Sequence, residues 1–237
     1  MTSAHPHRLV LWDIDQTLVD LSGLGAAWYA VALLEATGTE LHTLPEFGGR
    51  TERAITSDVL TTHGVEPTEE AVQRLWQALI AVSEQARPTL REDGRALPGA
   101  AEALVAMAGH GGVVQSLVTG NLPEISLHKL AAFDLHEHLD LEIGGYGSLS
   151  AHRPDLVPHA VERAAAKHGT RFAPEAVVIV GDTPNDVAAA IEHGAMAIGV
   201  ATGKYTAAEL RAAGAHTVLA DLADTAAVRA AVLGGCV

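Results

Sequence analysis

Apolar runs and amphipathic stretches alternate along most of the chain. The first run, Leu9 to Trp12, belongs to a strand over residues 8–13 and ends abruptly in Asp13-Ile14-Asp15-Gln16-Thr17. Residues 24–37, rich in Ala and Leu, predict a helix stopped by Gly38. A second helix is expected from Thr51 to about residues 63–64. Thr68-Glu69-Glu70-Ala71 opens a third, with Val72, Leu75, Trp76, Leu79 and Val82 at helical spacing, fading near Arg87-Pro88. No strand pattern interrupts residues 20–95, which are expected to be an all-helical insertion after the first strand.

From Leu97-Pro98-Gly99 onward the pattern becomes a regular alternation. Helices are predicted at 99–108, 123–132, 155–168, 184–193, 206–213 and from about 224; strands are predicted at 113–119, near 141–143, and at 176–180, 196–200 and 217–219. Repeated strand–helix units predict an α/β fold, a parallel sheet with helices on both faces. The expected domains are an α/β core over residues 1–19 and 93–237 and a helical domain over 20–92.

Composition supports a globular chain. Of its 237 residues, 48% are hydrophobic and 19% charged, which excludes a disordered chain. Aromatics are only 4%, so the core must be mostly Ala, Val, Leu and Ile. Fifteen basic against 29 acidic residues give a net charge of −14. No basic footprint for nucleic acid exists, and an anionic ligand needs a local cation. The 13 His are dispersed without zinc-helix spacing. The only cysteine, Cys236, excludes a disulfide within the chain and suits a reducing cytoplasm. The N-terminal residues lack the apolar core of a signal peptide, and no apolar run is long enough to span a bilayer. A cytoplasmic location, away from membranes, is expected.

Strand ends are the informative places, because ligands of parallel sheets gather at the carboxyl ends of the strands. The first ends Asp13-Ile14-Asp15-Gln16-Thr17. The second ends Thr119-Gly120-Asn121. The turn after the third leads to His152-Arg153-Pro154. The fourth ends Gly181-Asp182-Thr183-Pro184-Asn185-Asp186. Paired carboxylates after an apolar strand are costly without a cation. Taken singly, several residues have blander readings. Thr183 and Asp186 form a capping box, with Pro184 at the first helical position. Asp20 reads as a loop or helix carboxylate. Trp28, Tyr29 and Trp76 read as interior residues of the helical insertion, and Lys204-Tyr205 as a rim loop. Arg50, in Phe47-Gly48-Gly49-Arg50-Thr51, reads equally as a ligand for a substrate anion or as a solvated helix-start residue.

Together these motifs resemble the haloacid dehalogenase-like (HAD-like) superfamily, in particular its phosphoglycolate phosphatase-like members with a helical cap. The pattern Asp-x-Asp-x-Thr, a Thr after the second strand, a basic residue before a helix and Gly-Asp-x-x-x-Asp after the fourth are here Asp13/Asp15/Thr17, Thr119, Arg153 and Asp182/Asp186. The resemblance implies a Rossmann-like core with residues 20–92 as the cap, and Mg²⁺ held by Asp13, the Asp15 backbone carbonyl and Asp182, supported by Asp186. It implies that Thr119 and the backbone of Gly120 and Asn121 bind phosphate, with Arg153 as the fixed cation. The same residues suit phosphoryl transfer chemically. Asp13 can attack phosphorus, and Asp15 can protonate the leaving oxygen and later take a proton from water. Crowding by Asp13, Asp182 and Asp186 is expected to keep Asp15 protonated. Position 16 departs from the usual Gly, and Gln16 there suggests an ordinary backbone. Arg153 replaces the more usual Lys; Lys129, Lys167 and Lys204, the only lysines, do not precede a Pro–helix start. Arg153 can still grip phosphate in a bidentate way.

The expected activity is Mg²⁺-dependent hydrolysis of a small phosphorylated metabolite, phosphoglycolate- or sugar-phosphate-like, through an aspartyl phosphate. A phosphosugar mutase, which would use the same two Asp, and a non-catalytic binding protein on the same scaffold are the alternatives. A dehalogenase is disfavoured, because its relatives lack the second Asp of the first motif.

Overall fold

The computed structural model describes residues 8–234; the expectations drawn from the N-terminal residues and from Cys236 lie outside the described residues. In chain order the elements are β1 (Arg8–Trp12), β2 (Val19–Asp20), α1 (Leu24–Thr37), α2 (Glu52–Thr62), α3 (Glu69–Ala86), α4 (Leu90–Asp93), β3 (Arg95–Ala96), α5 (Ala100–Ala108) and β4 (Val113–Thr119). Then follow α6 (Pro123–Ala131), β5 (Gly145–Tyr146), α7 (Leu156–His168), β6 (Val177–Gly181), α8 (Pro184–Glu192), β7 (Met196–Val200), α9 (Ala207–Ala212), β8 (Thr217–Leu219) and α10 (Thr225–Leu233).

Six strands form one parallel sheet in the order β5-β4-β1-β6-β7-β8. All five residues of β1 are buried, as a central strand covered on both faces requires. Its side chains alternate between two cores. Leu9 and Leu11 pack with Leu156, Ala160 and Val187 on one face. Val10 and Trp12 pack with Leu104, Leu130 and Val228 on the other. The Trp12 indole N–H is answered inside: Trp12 Nε1 donates to Gln115 Oε1 at 3.1 Å, and Gln115 Nε2 donates to Leu104 O at 2.9 Å.

Two expectations are corrected. Residues 141–143 form a 3₁₀ turn, not a strand, because Asp140 accepts from Glu142 N and closes the backbone locally. The edge strand is instead β5, just beyond it. The stretch 20–95 is also not strand-free. Val19 pairs with Ala96 and Asp20 with Arg95 in an antiparallel ladder at the two junctions of the insertion. An Arg95–Asp20 ion pair at 2.6 Å reinforces it.

Between those junctions, α1 packs on α3, and Tyr29, Leu33, Leu75 and Leu79 are buried there. Thr51 and Thr68 cap α2 and α3 by accepting from Ala54 N and Ala71 N. The first turn of α2 is tied to the sheet rim. Glu52 N donates to Gly120 O at 2.8 Å and Arg53 N to Gly147 O at 2.9 Å, so donors with no partner inside the helix find one across the cavity. Gly147 permits this approach: a Cβ there would stand 1.7 Å from Gly120 O and 2.7 Å from Glu52 N. Among the described residues, no helix is long and apolar enough to cross a membrane.

Candidate active site

The carboxyl ends of β1, β4 and β6 share one rim, and the strand-end motifs meet there. Asp13 follows β1 directly, with its N–H fixed on Val180 O at 2.9 Å. Arg153, in the short turn before α7, lies buried beside it. A single nitrogen, Arg153 Nη2, stands 3.1 Å from Asp13 Oδ1, donates to Asp186 Oδ1 and donates to Val118 O at 3.2 Å. Asp186 also closes the capping box, accepting from Thr183 N at 3.1 Å and Thr183 Oγ1 at 2.6 Å. Capping and site-building are therefore one arrangement.

Asp13, Asp182 and Asp186 are all buried, and one carboxylate oxygen of each lies within 4.8 Å of the others. Burial pushes the Asp13 pKa up to about 6; Arg153 pulls it down, while Asp186 and Asp15 raise it further. Burial, then Asp186 and Asp13, push Asp182 up to about 8. Burial opposes the charge on Arg153, but Asp186 and Asp13 outweigh it and move its pKa upward. Three carboxylates thus share one guanidinium. The donor set is all oxygen, buried and short of positive charge, which fits a hard divalent cation such as Mg²⁺.

This has a consequence for stability. Both folded pKa values exceed the ordinary 3.8. The folded protein therefore holds more protons than the unfolded chain between about pH 4 and pH 8, and these two groups lower stability as pH rises through that window. In metal-free buffer the thermal midpoint is expected to fall from pH 5 to pH 8.5, and Mg²⁺ to raise it more at pH 8.5 than at pH 5. Scanning calorimetry checks both. A slope unchanged in Asp182→Asn would contradict the assignment.

Asp15 departs from expectation. Its carboxylate is held by Lys129 Nζ, 2.7 Å from both oxygens, and by Asn121 Nδ2 at 2.8 Å. Lys129 also donates to Asn121 Oδ1 at 2.7 Å. Neighbouring carboxylates raise Asp13 and Asp182. Thr119 is fully buried beneath the site, and its Oγ1 accepts from Asn121 Nδ2 at 2.9 Å. Gly120 and Asn121 line the cavity, whereas Thr119 does not. Arg50 reaches the cavity wall but pairs with Asp58 at 2.6 Å.

Gln16 is also corrected. Its φ is +60°, the left-handed region, so the backbone is not ordinary. For a residue with a Cβ this costs about 1–2 kcal/mol. The conformation is fixed from three sides. Gln16 Nε2 donates to Asp20 Oδ1 at 2.8 Å and Ser22 Oγ at 3.0 Å, and Thr202 Oγ1 donates to Gln16 O at 2.5 Å. Ser22 and then Gln16 hold the Asp20 pKa down, so Asp20 is a loop-building carboxylate.

A cavity of about 290 Å³ opens above these groups. Asp13, Asp15, Asn121, Lys129, Arg153 and Asp182 line its floor; Trp28, Tyr29, Phe47, Glu52 and Ile55 come from the helical insertion. Lys129, Glu52 and Gly203 were not singled out by the strand-end pattern. Lys129 had a faint signal, a basic residue four positions after Ile125 on an inward helix face. Gly203 had none: a Cβ there would stand 1.9 Å from Asp182 Oδ2.

Known proteins give a consistent picture. The HAD-hydrolase-like family model matches residues 153–225. A 5′-nucleotidase of Pseudomonas aeruginosa is 29% identical over 93% of this chain and 93% of its own length. CbbY from Rhodobacter sphaeroides, solved with phosphate, superposes with a TM-score of 0.66 at 19% identity, over 92% of this chain and 96% of that one. A predicted phosphoglycolate phosphatase from Haemophilus somnus gives 0.62 at 21% identity, over 94% and 97%. The segment 153–225 thus matches a HAD-hydrolase-like model, and the chain shares its fold with these solved structures.

Proposed function

We propose that the protein is a Mg²⁺-dependent phosphomonoester hydrolase acting on a small phosphorylated metabolite. The observation that carries this reading is the buried group of Asp13, Asp182 and Asp186 around Arg153, opening onto a cavity whose wall holds Asp15. The nucleotidase relative, a phosphomonoesterase by name, supports it.

Asp13 attacks phosphorus, and its carboxylate becomes an acyl phosphate as the ester P–O bond breaks. Asp15 serves as the general acid for the departing alcohol oxygen. It then takes a proton from the water that cleaves the aspartyl phosphate, and phosphate leaves. Lys129 and Asn121 position the Asp15 carboxyl at the cavity wall. Arg153 and the backbone of Gly120 and Asn121 face the phosphate. Asp13, Asp182 and the Asp15 carbonyl would hold Mg²⁺, which supplies positive charge for the transferring oxygens; Asp186, already bonded to Arg153 and Thr183, supports that set.

Residues 20–92 act as a cap domain over a core of 1–19 and 93–237, and the β2–β3 ladder is the hinge between them. The cap keeps bulk water from the acyl phosphate. Release of inorganic phosphate from an aryl phosphate tests the reading. Turnover is expected with Mg²⁺ and is lost with a chelator; no turnover under any divalent cation would overturn it.

A further inference from the structure

The part of the cavity wall that comes from the helical insertion contains a buried carboxylate that the chemistry above does not use. Glu52, the first residue of α2, is 9% exposed and lines the cavity. A directed chain of hydrogen bonds fixes it. Trp76 Nε1 donates to Thr56 Oγ1 at 2.9 Å, Thr56 Oγ1 lies 3.1 Å from Tyr29 OH, and Tyr29 OH donates to Glu52 Oε1. Tyr29 directs its single hydroxyl hydrogen at Glu52, so in the Thr56–Tyr29 contact the Thr56 hydroxyl is the donor while it accepts from the indole. Among the described residues no donor meets Glu52 Oε2. Glu52 lines the cavity, so this oxygen is available to a donor that enters it.

The rest of the wall narrows what that something is. Trp28, Tyr29, Phe47, Ile55, Leu79 and Ile125 make it apolar, with the Tyr29 and Phe47 ring centroids 5.6 Å apart. Each cation on the lining is already paired: Lys129 with Asp15, Arg50 with Asp58, and Arg153 with Asp13 and Asp186. A second anionic group would find no unpaired cation here and would face Glu52. The volume of about 290 Å³ lies at the small end of ligand pockets and has room for one ring beside a phosphate.

We infer that this wall is a subsite for a single-ring, uncharged alcohol or phenol moiety that offers an N–H or O–H donor to Glu52. The inference rests on the phosphomonoesterase reading and deepens it. It sets the substrate apart from short phosphorylated carboxylic acids, including the phosphoglycolate-like class expected from the sequence. A Glu in the first turn of a helix is ordinary, because the helix N-terminus favours its charge. A solvated Glu would serve that purpose; this one points inward with one oxygen unspent.

The test is binding, read by calorimetry in Mg²⁺ with the full-length Asp13→Asn protein, which does not consume the ester. Phenyl phosphates carrying a 3-hydroxymethyl or a 3-carboxylate group share the ring and the phosphate and differ at the group that meets Glu52. The hydroxymethyl ester is expected to bind about 30-fold more tightly than the carboxylate ester, the worth of one charge-assisted hydrogen bond. Adding Glu52→Gln is expected to narrow that gap to about threefold, mainly by tightening the carboxylate ester, because an amide neither repels it nor lacks a donor. Equal affinities in the Asp13→Asn protein, or no binding of either ester, would overturn the inference without any Glu52 variant. A gap that survives Glu52→Gln would overturn the role of Glu52. Failure of the phosphatase reading appears separately, as absent phosphate release by the wild-type protein.

Discussion

Asp13→Asn is expected to lower kcat for an aryl phosphate by about 10⁴-fold or more, as loss of a covalent nucleophile does in other enzymes. An amide has nearly the shape of the carboxylate but cannot form the acyl phosphate. The variant should nevertheless fold. Asp13 is the carboxylate whose burial and neighbours push its pKa to about 6, so it is a source of electrostatic cost in the metal-free protein. Removing its charge relieves Asp182, whose pKa is raised partly by Asp13, and still leaves Arg153 paired with Asp186. The expected pair of results is therefore opposed in sign. Phosphate release disappears, while the thermal midpoint in metal-free buffer at pH 8 holds or rises. Activity within tenfold of wild type would remove Asp13 as nucleophile. A collapse in stability together with lost activity would show only that the site had unfolded.

The centre of the sheet was readable because its strands are buried on both faces: every residue of Arg8–Trp12 and Val177–Gly181 is buried. What escaped the pattern is short. Two-residue strands such as Val19–Asp20 and Arg95–Ala96 have no period to detect, and their pairing joins residues far apart in the chain. The apolar triplet Leu141–Ile143 looks like a strand, but Asp140 and its bond to Glu142 N turn it into a 3₁₀ helix. A side chain competing for one backbone N–H decided that element.

In the candidate site, residues at strand ends were legible because topology alone brings them to one rim. Residues reaching the rim from helices were not. Lys129 arrives from α6 and Glu52 from α2, and each meets the site only through packing of its helix. Gln16 shows a different limit. Its left-handed φ is set by Asp20, Ser22 and Thr202, the last of them 186 positions away. Local propensity favours a Gly there, and tertiary hydrogen bonds override it. Arg153 was legible as a basic residue at the rim, yet its bonds to Asp13 and Asp186 run through one nitrogen, so toward the carboxylates it acts as a point charge.

That geometry sets the second large effect. Arg153→Met is expected to destabilise the metal-free protein by about 3–5 kcal/mol at pH 8, the usual result of removing one partner from a buried ion pair. For a domain of this size that lowers the thermal midpoint by roughly 10 °C. Arg153 is 5% exposed, and its loss leaves Asp13 and Asp186 facing each other with no cation between them. The sign with pH follows. The burial that raises Asp13 is then opposed by no guanidinium, so its pKa moves further up. The deficit relative to wild type should shrink as pH falls toward 5, because protonation neutralises the stranded charge. Mg²⁺ should also recover part of it at pH 8. Arg153→Lys discriminates charge from shape. Since the contacts to Asp13, Asp186 and Val118 O all use Nη2, one ammonium can replace them, and its loss should be less than half that of Arg153→Met. Chemical denaturation of the three proteins at pH 5 and pH 8 measures this. If Arg153→Met came within about 1 kcal/mol of wild type at pH 8, the guanidinium would not be what holds these carboxylates together.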